Sequence, residues 1–385
     1  MHPTRGRWHG TADMAGGPKP EGNLPGTAST ERSRLLLRRL DIGEHVLSVL
    51  LAIVIAHAIG AANVNWAAFT GYMVLRGHFA DTLVRGMLRI TGTLAGGVAA
   101  LLIVPRVEGS WAWQALILLL IGTATQYGAI VGRRAYAWLF VGLTFAMVQF
   151  DAVEQPGLAV PDFVRTRLLE TVAGTLACVA VGLMGTLTLR RLWPAEREPG
   201  SGGARWHPGA ARHAAQSGMA LAILAVLSAF VALPGLAQAP VTIMAVMLVP
   251  ASAIGPSGLA PVSSRMGQRI AGCLAGAALA GTVLLVAHGS AVLLIAGTVA
   301  GVAIGRMIET GEHARRYVGT QFVLAVLVIL VPDTYADAQM EPGWHRLLGI
   351  LTGIAVLGPV LVAWHWIGPL VGGRQGPVRD GGHER

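Results

Sequence analysis

Arginines within apolar stretches are the residues of this sequence best suited to chemistry. Arg89, Arg269, Arg167 and Arg346 open short, similar motifs in segments that otherwise carry few charges. A charge inside an apolar segment is costly and therefore a functional candidate, and a guanidinium pairs with a carboxylate through two parallel hydrogen bonds. The sequence thus predicts anion-binding positions. The alternative is structural: a membrane-surface anchor, a packing contact, or an ion pair such as that of Arg346 with Glu341.

Two tyrosines and two candidate proton carriers extend this predicted site. Tyr136 and Tyr317 each follow a pair of arginines, and a phenol can donate a hydrogen bond to a carboxylate. Both tyrosines could equally mark the membrane interface. Glu170 follows Arg167 by one turn and His57 lies in an apolar segment, so both are candidates for proton coupling. The plainer alternatives are an ion pair of Glu170 with Arg167 and a hydrogen-bonded packing histidine.

Composition indicates which solvent the chain meets. Hydrophobic residues make up 53% of the 385 positions and charged residues only 13%, with a mean hydropathy of +0.58. Soluble proteins carry about 25% charged residues, and apolar runs of roughly 20 residues are long enough to cross a bilayer. Segments in lipid must satisfy their own backbone hydrogen bonds, which favours helices. The chain is therefore predicted to be an all-α polytopic membrane protein.

The apolar runs predict about twelve transmembrane helices and their orientation. The basic residues fall on the side that holds both termini, which indicates that the termini are cytoplasmic. This bias explains the net charge of +9 without nucleic acid. The exceptions among the 29 basic residues are Arg106, Arg165, Arg167 and Arg346. The predicted spans are residues 45–62, 64–77, 87–104, 111–129, 135–150, 167–189, 213–232, 239–253, 267–287, 290–307, 315–332 and 345–367.

An internal repeat divides the membrane portion. R-I-T-G-T-L-A-G from Arg89 to Gly96 recurs as R-I-A-G-C-L-A-G from Arg269 to Gly276, and R-L-L-E at Arg167 corresponds to R-L-L-G at Arg346. The spacing predicts two parallel six-helix repeats related by an axis along the membrane normal. The predicted parts are a largely disordered cytoplasmic tail (1–44), a first half (45–189), a cytoplasmic linker (190–212), a second half (213–367) and a cytoplasmic tail (368–385).

Glycines four positions apart accompany these motifs. Small residues at this spacing let helix backbones approach closely in lipid. We therefore predict helix packing, rather than ligand binding, for Gly92, Gly96, Gly272, Gly276, Gly349 and Gly353.

The stretch from Gly71 to Gly97, which includes R-G-M-L-R-I-T-G-T-L-A-G-G, and its copy at Arg269 resemble the fusaric acid resistance (FUSC) and aromatic acid exporter family. The chain resembles a short form that lacks the large cytoplasmic regions of the longer exporters. This resemblance implies a bacterial inner-membrane transporter that exports aromatic carboxylic acids. It also implies use of the proton gradient and a periplasmic membrane-fusion subunit, while related plant proteins are anion channels.

Several other classes receive less support from the sequence. Lys19 is the sole lysine, so no ATP-binding Walker motif exists, and no catalytic, metal-ligating or cofactor motif is present. The cysteines, Cys178 and Cys273, lack disulfide or metal spacing. An enzyme is therefore not predicted. An organic-anion channel, a major-facilitator-type transporter and a non-transporting membrane scaffold stay open, as does assembly into a homo-oligomer.

Overall fold

The computed structural model describes residues 27–157, 159–191, 206–233, 235–255, 258–311, 315–335 and 338–371. Throughout this part of the chain the regular structure is helical. Nine of its helices are long and apolar enough to cross a membrane, which confirms the all-α membrane class. The twelve α-helices are α1 (Thr27–Ala58), α2 (Val64–Val74), α3 (Phe79–Val107), α4 (Trp111–Val131), α5 (Ala135–Glu154), α6 (Val160–Leu187), α7 (Pro208–Ser228), α8 (Gln238–Val246), α9 (Leu259–Ala287), α10 (Ala291–Glu309), α11 (Arg316–Leu330) and α12 (Glu341–Val371).

Each helix overlaps one predicted span, but several begin earlier than predicted. α1 begins at Thr27, so the prediction of a largely disordered tail is wrong for residues 27–44, and the tail before them lies outside the described residues. α3 and α9 begin at Phe79 and Leu259 rather than at 87 and 267. Their second turns carry Arg85 and Arg265, which lower the hydropathy of the apolar run without ending the helix.

Three helices are too short to cross a membrane alone. α2 and α8 have 11 and 9 residues, and α11 has 15. α8 ends at Val246, ahead of Pro250, which lacks the amide hydrogen that a continuing helix needs. These short helices lie against long ones: α2 packs on α6, α8 on α12, and α11 on α9. All three short helices contribute side chains to one cavity, among them Phe69 of α2, Val241 of α8 and Gln321 of α11.

Contacts across the middle of the chain join the first six helices to the last six. α1 packs against α10, and α4 packs against α7. One buried apolar cluster combines Leu118 and Phe145 with Leu221, and a second combines Phe69 with Val326. Each cluster thus draws on both sets of helices, so the twelve helices pack as one body.

The six glycines predicted to pack helices lie at close backbone contacts. A Cβ atom added at any of them would fall within 3.0 Å of a carbonyl oxygen on a neighbouring segment. Gly92 and Gly96 face α5, and Gly272 and Gly276 face α11, whereas Gly349 and Gly353 face the start of α8 and the turn before it. The absence of a side chain is what allows these helices to approach so closely.

Candidate functional site, an arginine-lined cavity

A cavity of about 280 Å³ lies between the two sets of helices. Its walls come from α2, α3 and α5 on one side and from α8 to α12 on the other. Aromatic side chains of Trp66, Phe69 and Phe140 form part of the lining. The charged residues of the lining are mostly positive. They comprise one carboxylate, Glu309, and seven arginines: Arg76, Arg85, Arg89, Arg265, Arg269, Arg306 and Arg346.

Arg89 and Arg269 lie deeper than the sequence predicted. They follow the helix starts at Phe79 and Leu259 by ten positions, which corresponds to about 15 Å along the helix axis. Their exposed fractions are only 3% and 1%. The predicted spans begin at residues 87 and 267, only two positions before each arginine, so the observed helices extend further ahead of them. Both side chains reach the cavity from within α3 and α9.

Tyr136 holds Arg89 in the first set of helices. Arg89 Nη1 donates to Tyr136 Oη at 3.2 Å, and the Arg89 guanidinium lies 4.1 Å above the ring of Phe140. Arg85, one turn before Arg89, stacks its guanidinium 4.0 Å from the centre of the Tyr136 ring. The tyrosine therefore joins two arginines through its hydroxyl and its ring face.

Tyr317 makes the corresponding contacts in the last six helices. Arg269 Nη1 donates to Tyr317 Oη at 3.2 Å and to Gln321 Oε1 at 2.9 Å. Arg265 stacks 4.5 Å from the centre of the Tyr317 ring. Arg346, only 4% exposed, donates to the same Gln321 oxygen at 3.4 Å. The structure thus brings three predicted residues, Arg269, Arg346 and Tyr317, to one wall of the cavity.

Arg167 and Glu170 lie beside the main cavity and not in its wall. They border an extension of about 40 Å³ that shares Trp66, Arg89 and Phe140 with the cavity. Arg167 Nη1 lies 3.1 Å from Glu170 Oε2, and Glu170 is 1% exposed. The Arg167 guanidinium also lies 4.2 Å from the ring of Trp66. The ion pair considered as an alternative for these two residues is therefore present.

His57 lies away from the cavity. It is an exposed residue at the end of α1, where Nδ1 contacts the carbonyl of Ile53 at 2.9 Å and Nε2 contacts that of Asp333 at 3.2 Å. Its ring stacks on Tyr335 in the loop before α12, and burial raises the pKa of that tyrosine. The structure therefore places His57 in a packing contact between α1 and this loop, apart from the other predicted site residues.

Four arginines of the cavity were not predicted as site residues from the sequence: Arg76, Arg85, Arg265 and Arg306. Arg85 and Arg265 could have been found, because each precedes a predicted arginine by four positions, and residues four apart share one face of a helix. Arg306 carried no comparable signal. It reaches the cavity because α10 packs against α11, which lines the cavity, as well as against α1.

Arg306 belongs to an ionic cluster at one edge of the cavity. Its Nε and Nη2 donate to the two carboxylate oxygens of Asp41 on α1, at 2.7 and 3.0 Å. Its Nη1 lies 3.3 Å from Glu309, which also accepts a hydrogen bond from the hydroxyl of Tyr72. His45, fully buried on α1, contacts the Asp41 carbonyl at 2.7 Å. The cluster ties α1 and α2 to α10.

The chemistry available to this arrangement is the binding of anions. Among the described residues, the Nε atoms of Arg89, Arg265, Arg269 and Arg346 are buried without a hydrogen-bond partner. Buried guanidinium groups without counter-charge are costly, and a carboxylate would supply both the charge and the acceptors. The described residues contain no cluster of three or more His, Cys, Asp or Glu that could hold a metal ion.

The comparisons with known proteins agree with this architecture. A family model described as fusaric acid resistance protein-like matches residues 51–181 and 223–358, which together cover most of the chain. No curated protein and no solved structure matches the chain. The match and the nine apolar helices identify a multi-pass membrane protein of a transporter family. The chain belongs to the fusaric acid resistance protein-like family.

Proposed function

We propose that this protein is an inner-membrane secondary transporter that exports organic anions, with single-ring aromatic carboxylic acids as its substrates. The observation that carries the proposal is the cavity lined by seven arginines and a single carboxylate. Such a lining creates a positive potential that attracts anions and repels cations.

The size and the apolar lining support an aromatic substrate. A cavity of about 150 Å³ holds a benzene molecule, so about 280 Å³ leaves room for one ring and its carboxylate. Trp66, Phe69 and Phe140 offer ring faces against which an aromatic body can pack. Inorganic anions would leave these surfaces unused.

The proposal includes a two-fold arrangement with the substrate between the halves. Contacts recur six helices apart: α3 packs on α5 as α9 does on α11, and α2 packs on α6 as α8 does on α12. The same shift of six helices relates the contact of α1 with α10 to the contact of α7 with α4. Transporters of this design place their substrate at the interface between repeats. The distribution of basic residues favours cytoplasmic termini.

The proposed coupling to protons rests on Glu170. Of the two predicted proton carriers, only this carboxylate borders the cavity system, whereas His57 lies elsewhere. Glu170 is balanced by Arg167 at 3.1 Å. Protonation of Glu170 would remove the counter-charge of Arg167 and so add a positive charge beside the cavity.

The test is transport of labelled benzoate into inverted membrane vesicles, with and without a proton gradient. The test variant combines Arg89→Ala with Arg269→Ala. The control is Arg106→Ala, which removes an exposed arginine of the same helix outside the cavity. We expect gradient-dependent accumulation by the wild type and by Arg106→Ala, and none by the double variant at equal protein level.

Other outcomes would change the assignment. Gradient-independent equilibration that still requires Arg89 and Arg269 would indicate an anion channel. No flux of benzoate, or flux unchanged in the double variant, would refute transport through this cavity.

A further inference from the structure

The two halves of the cavity differ in one charged position. In the first, R-L-L-E places Glu170 beside Arg167, and the two form an ion pair. In the second, R-L-L-G places Gly349 at the corresponding position after Arg346. The first arginine therefore carries an internal counter-charge, whereas none of the described ion pairs includes Arg346.

Two buried guanidinium groups meet in the second half at one neutral oxygen. Gln321 Oε1 accepts from Arg269 Nη1 at 2.9 Å and from Arg346 Nη2 at 3.4 Å, and Gln238 Oε1 accepts from Arg346 Nη1 at 3.3 Å. The two arginines are 1% and 4% exposed. Within the described part of the chain, Arg269 Nε, Arg269 Nη2 and Arg346 Nε have no partner.

This arrangement lacks a negative charge. Two guanidinium groups that share one acceptor repel each other, and an amide oxygen offsets only a small part of that repulsion. A carboxylate can accept two parallel hydrogen bonds from a guanidinium group and also supplies the opposite charge, which an amide oxygen lacks. An incoming carboxylate would therefore gain the binding energy that the amide of Gln321 cannot provide.

The first half presents ring faces where the second presents amides. Phe140 lies under Arg89 at 4.1 Å and Trp66 under Arg167 at 4.2 Å. Both rings line the cavity. Their guanidinium partners are already covered by π faces, and Arg167 is also neutralised by Glu170. This side therefore suits the apolar body of a ligand better than a second anionic group.

We propose that the substrate binds in one orientation, with a single carboxylate between Arg269 and Arg346 beside Gln321, and with its aromatic ring against Phe140 and Trp66. This inference rests on the proposed function and narrows it to aromatic monoanions. The two arginines and Gln321 form the head site, and the two rings form the body site.

The deciding variant is Gln321→Glu, which places a carboxylate in the head site without changing the side-chain size. The matched control is Gln268→Glu, which adds the same charge one position before Arg269, where the amide donates to Ser264. Binding of benzoate and of its neutral analogue benzamide is measured by calorimetry on the purified full-length protein in detergent. Benzoate flux is measured in parallel in vesicles.

We expect wild type to bind benzoate and not benzamide. Gln321→Glu should weaken benzoate binding by about tenfold to a hundredfold, because its carboxylate occupies the charge-assisted hydrogen bonds of the ligand. Gln268→Glu should bind benzoate as wild type does. Should Gln321→Glu fail to fold, Arg346→Gln removes one guanidinium of the same site and carries the same expectation.

The body site is tested by Phe140→Leu, which should weaken benzoate binding while leaving acetate binding unchanged. Benzoate affinity within twofold of wild type in Gln321→Glu or Arg346→Gln would overturn the inference, as would equal binding of benzamide. Normal benzoate flux through a folded Gln321→Glu or Arg346→Gln variant would refute the head site and leave the proposed function standing. Benzoate binding at the head site of the wild type without benzoate flux would support the head site and refute the proposed transport.

Discussion

Gly276 offers a sharp test of how the cavity walls are held together. It lies on α9 where that helix meets α11, and an added Cβ would fall within 3.0 Å of both the Phe322 carbonyl oxygen and the Ala325 Cβ. Gly267 lies on the same helix with nothing within 4 Å of its added Cβ. The substitutions Gly276→Ala and Gly267→Ala therefore make the same chemical change in two different surroundings.

The magnitude of the expected effect follows from two opposing contributions. Replacing glycine with alanine inside a helix stabilises it by about 0.5–1 kcal/mol, and at Gly267 this gain is unopposed. At Gly276 the added methyl group must separate α9 from α11, and overpacking of this kind costs about 1–3 kcal/mol. We expect Gly267→Ala to be slightly stabilising and Gly276→Ala to be about 1–3 kcal/mol less stable than Gly267→Ala.

The measurement is the free energy of unfolding in detergent, followed by tryptophan fluorescence, with Tm as an independent readout. Benzoate binding should weaken in Gly276→Ala and not in Gly267→Ala, because Tyr317 and Gln321 are carried by the displaced α11. Equal stabilities of the two variants would show that the close contact between α9 and α11 is not formed.

Three further predictions concern charge and orientation. Asp41→Asn and Arg306→Gln should each destabilise the protein, with a coupling energy of about 1–3 kcal/mol in a double-mutant cycle, since the pair joins α1 to α10; additive effects would contradict the pairing. A cysteine replacing Glu108 should react with an impermeant maleimide in intact cells, whereas one replacing Arg134 should react only in inverted vesicles; the opposite pattern would reverse the orientation. Glu170→Gln should abolish the gradient dependence of benzoate flux while retaining benzoate binding, and unchanged gradient dependence would exclude this residue from proton coupling.

The predicted helices show how far periodicity and hydropathy reach in this chain. Apolar runs overlapped all twelve described helices, because segments in lipid must satisfy their own backbone hydrogen bonds, which favours helices. Hydropathy misplaced the starts of α3 and α9, since an arginine that faces a cavity lowers the hydropathy of a run without ending the helix. It also missed the helical residues 27–44 of α1, where charged side chains pair with distant helices, as Asp41 does with Arg306.

The candidate site was predictable to the extent that it repeats. Arg89, Arg269 and both tyrosines were visible because each motif occurs twice, and the structure brings them to one cavity. The internal repeat gave no indication of Arg306, which lies in no repeated motif. The apolar segment around His57 did not reveal that this residue contacts the loop before α12. A single polar residue in an apolar helix does not specify which neighbour it will meet.

The sequence by itself determined that the chain lies in a membrane, where its helices fall and which arginines are equivalent. These features depend on composition and on spacing along one helix. Only the tertiary structure decided which charges remain unpaired. Arg167 meets Glu170 within its own helix, a pairing that spacing alone predicts. Arg346 and Arg269 converge on Gln321 of a third helix, and that convergence depends on the packing of α9, α11 and α12, which no local pattern encodes.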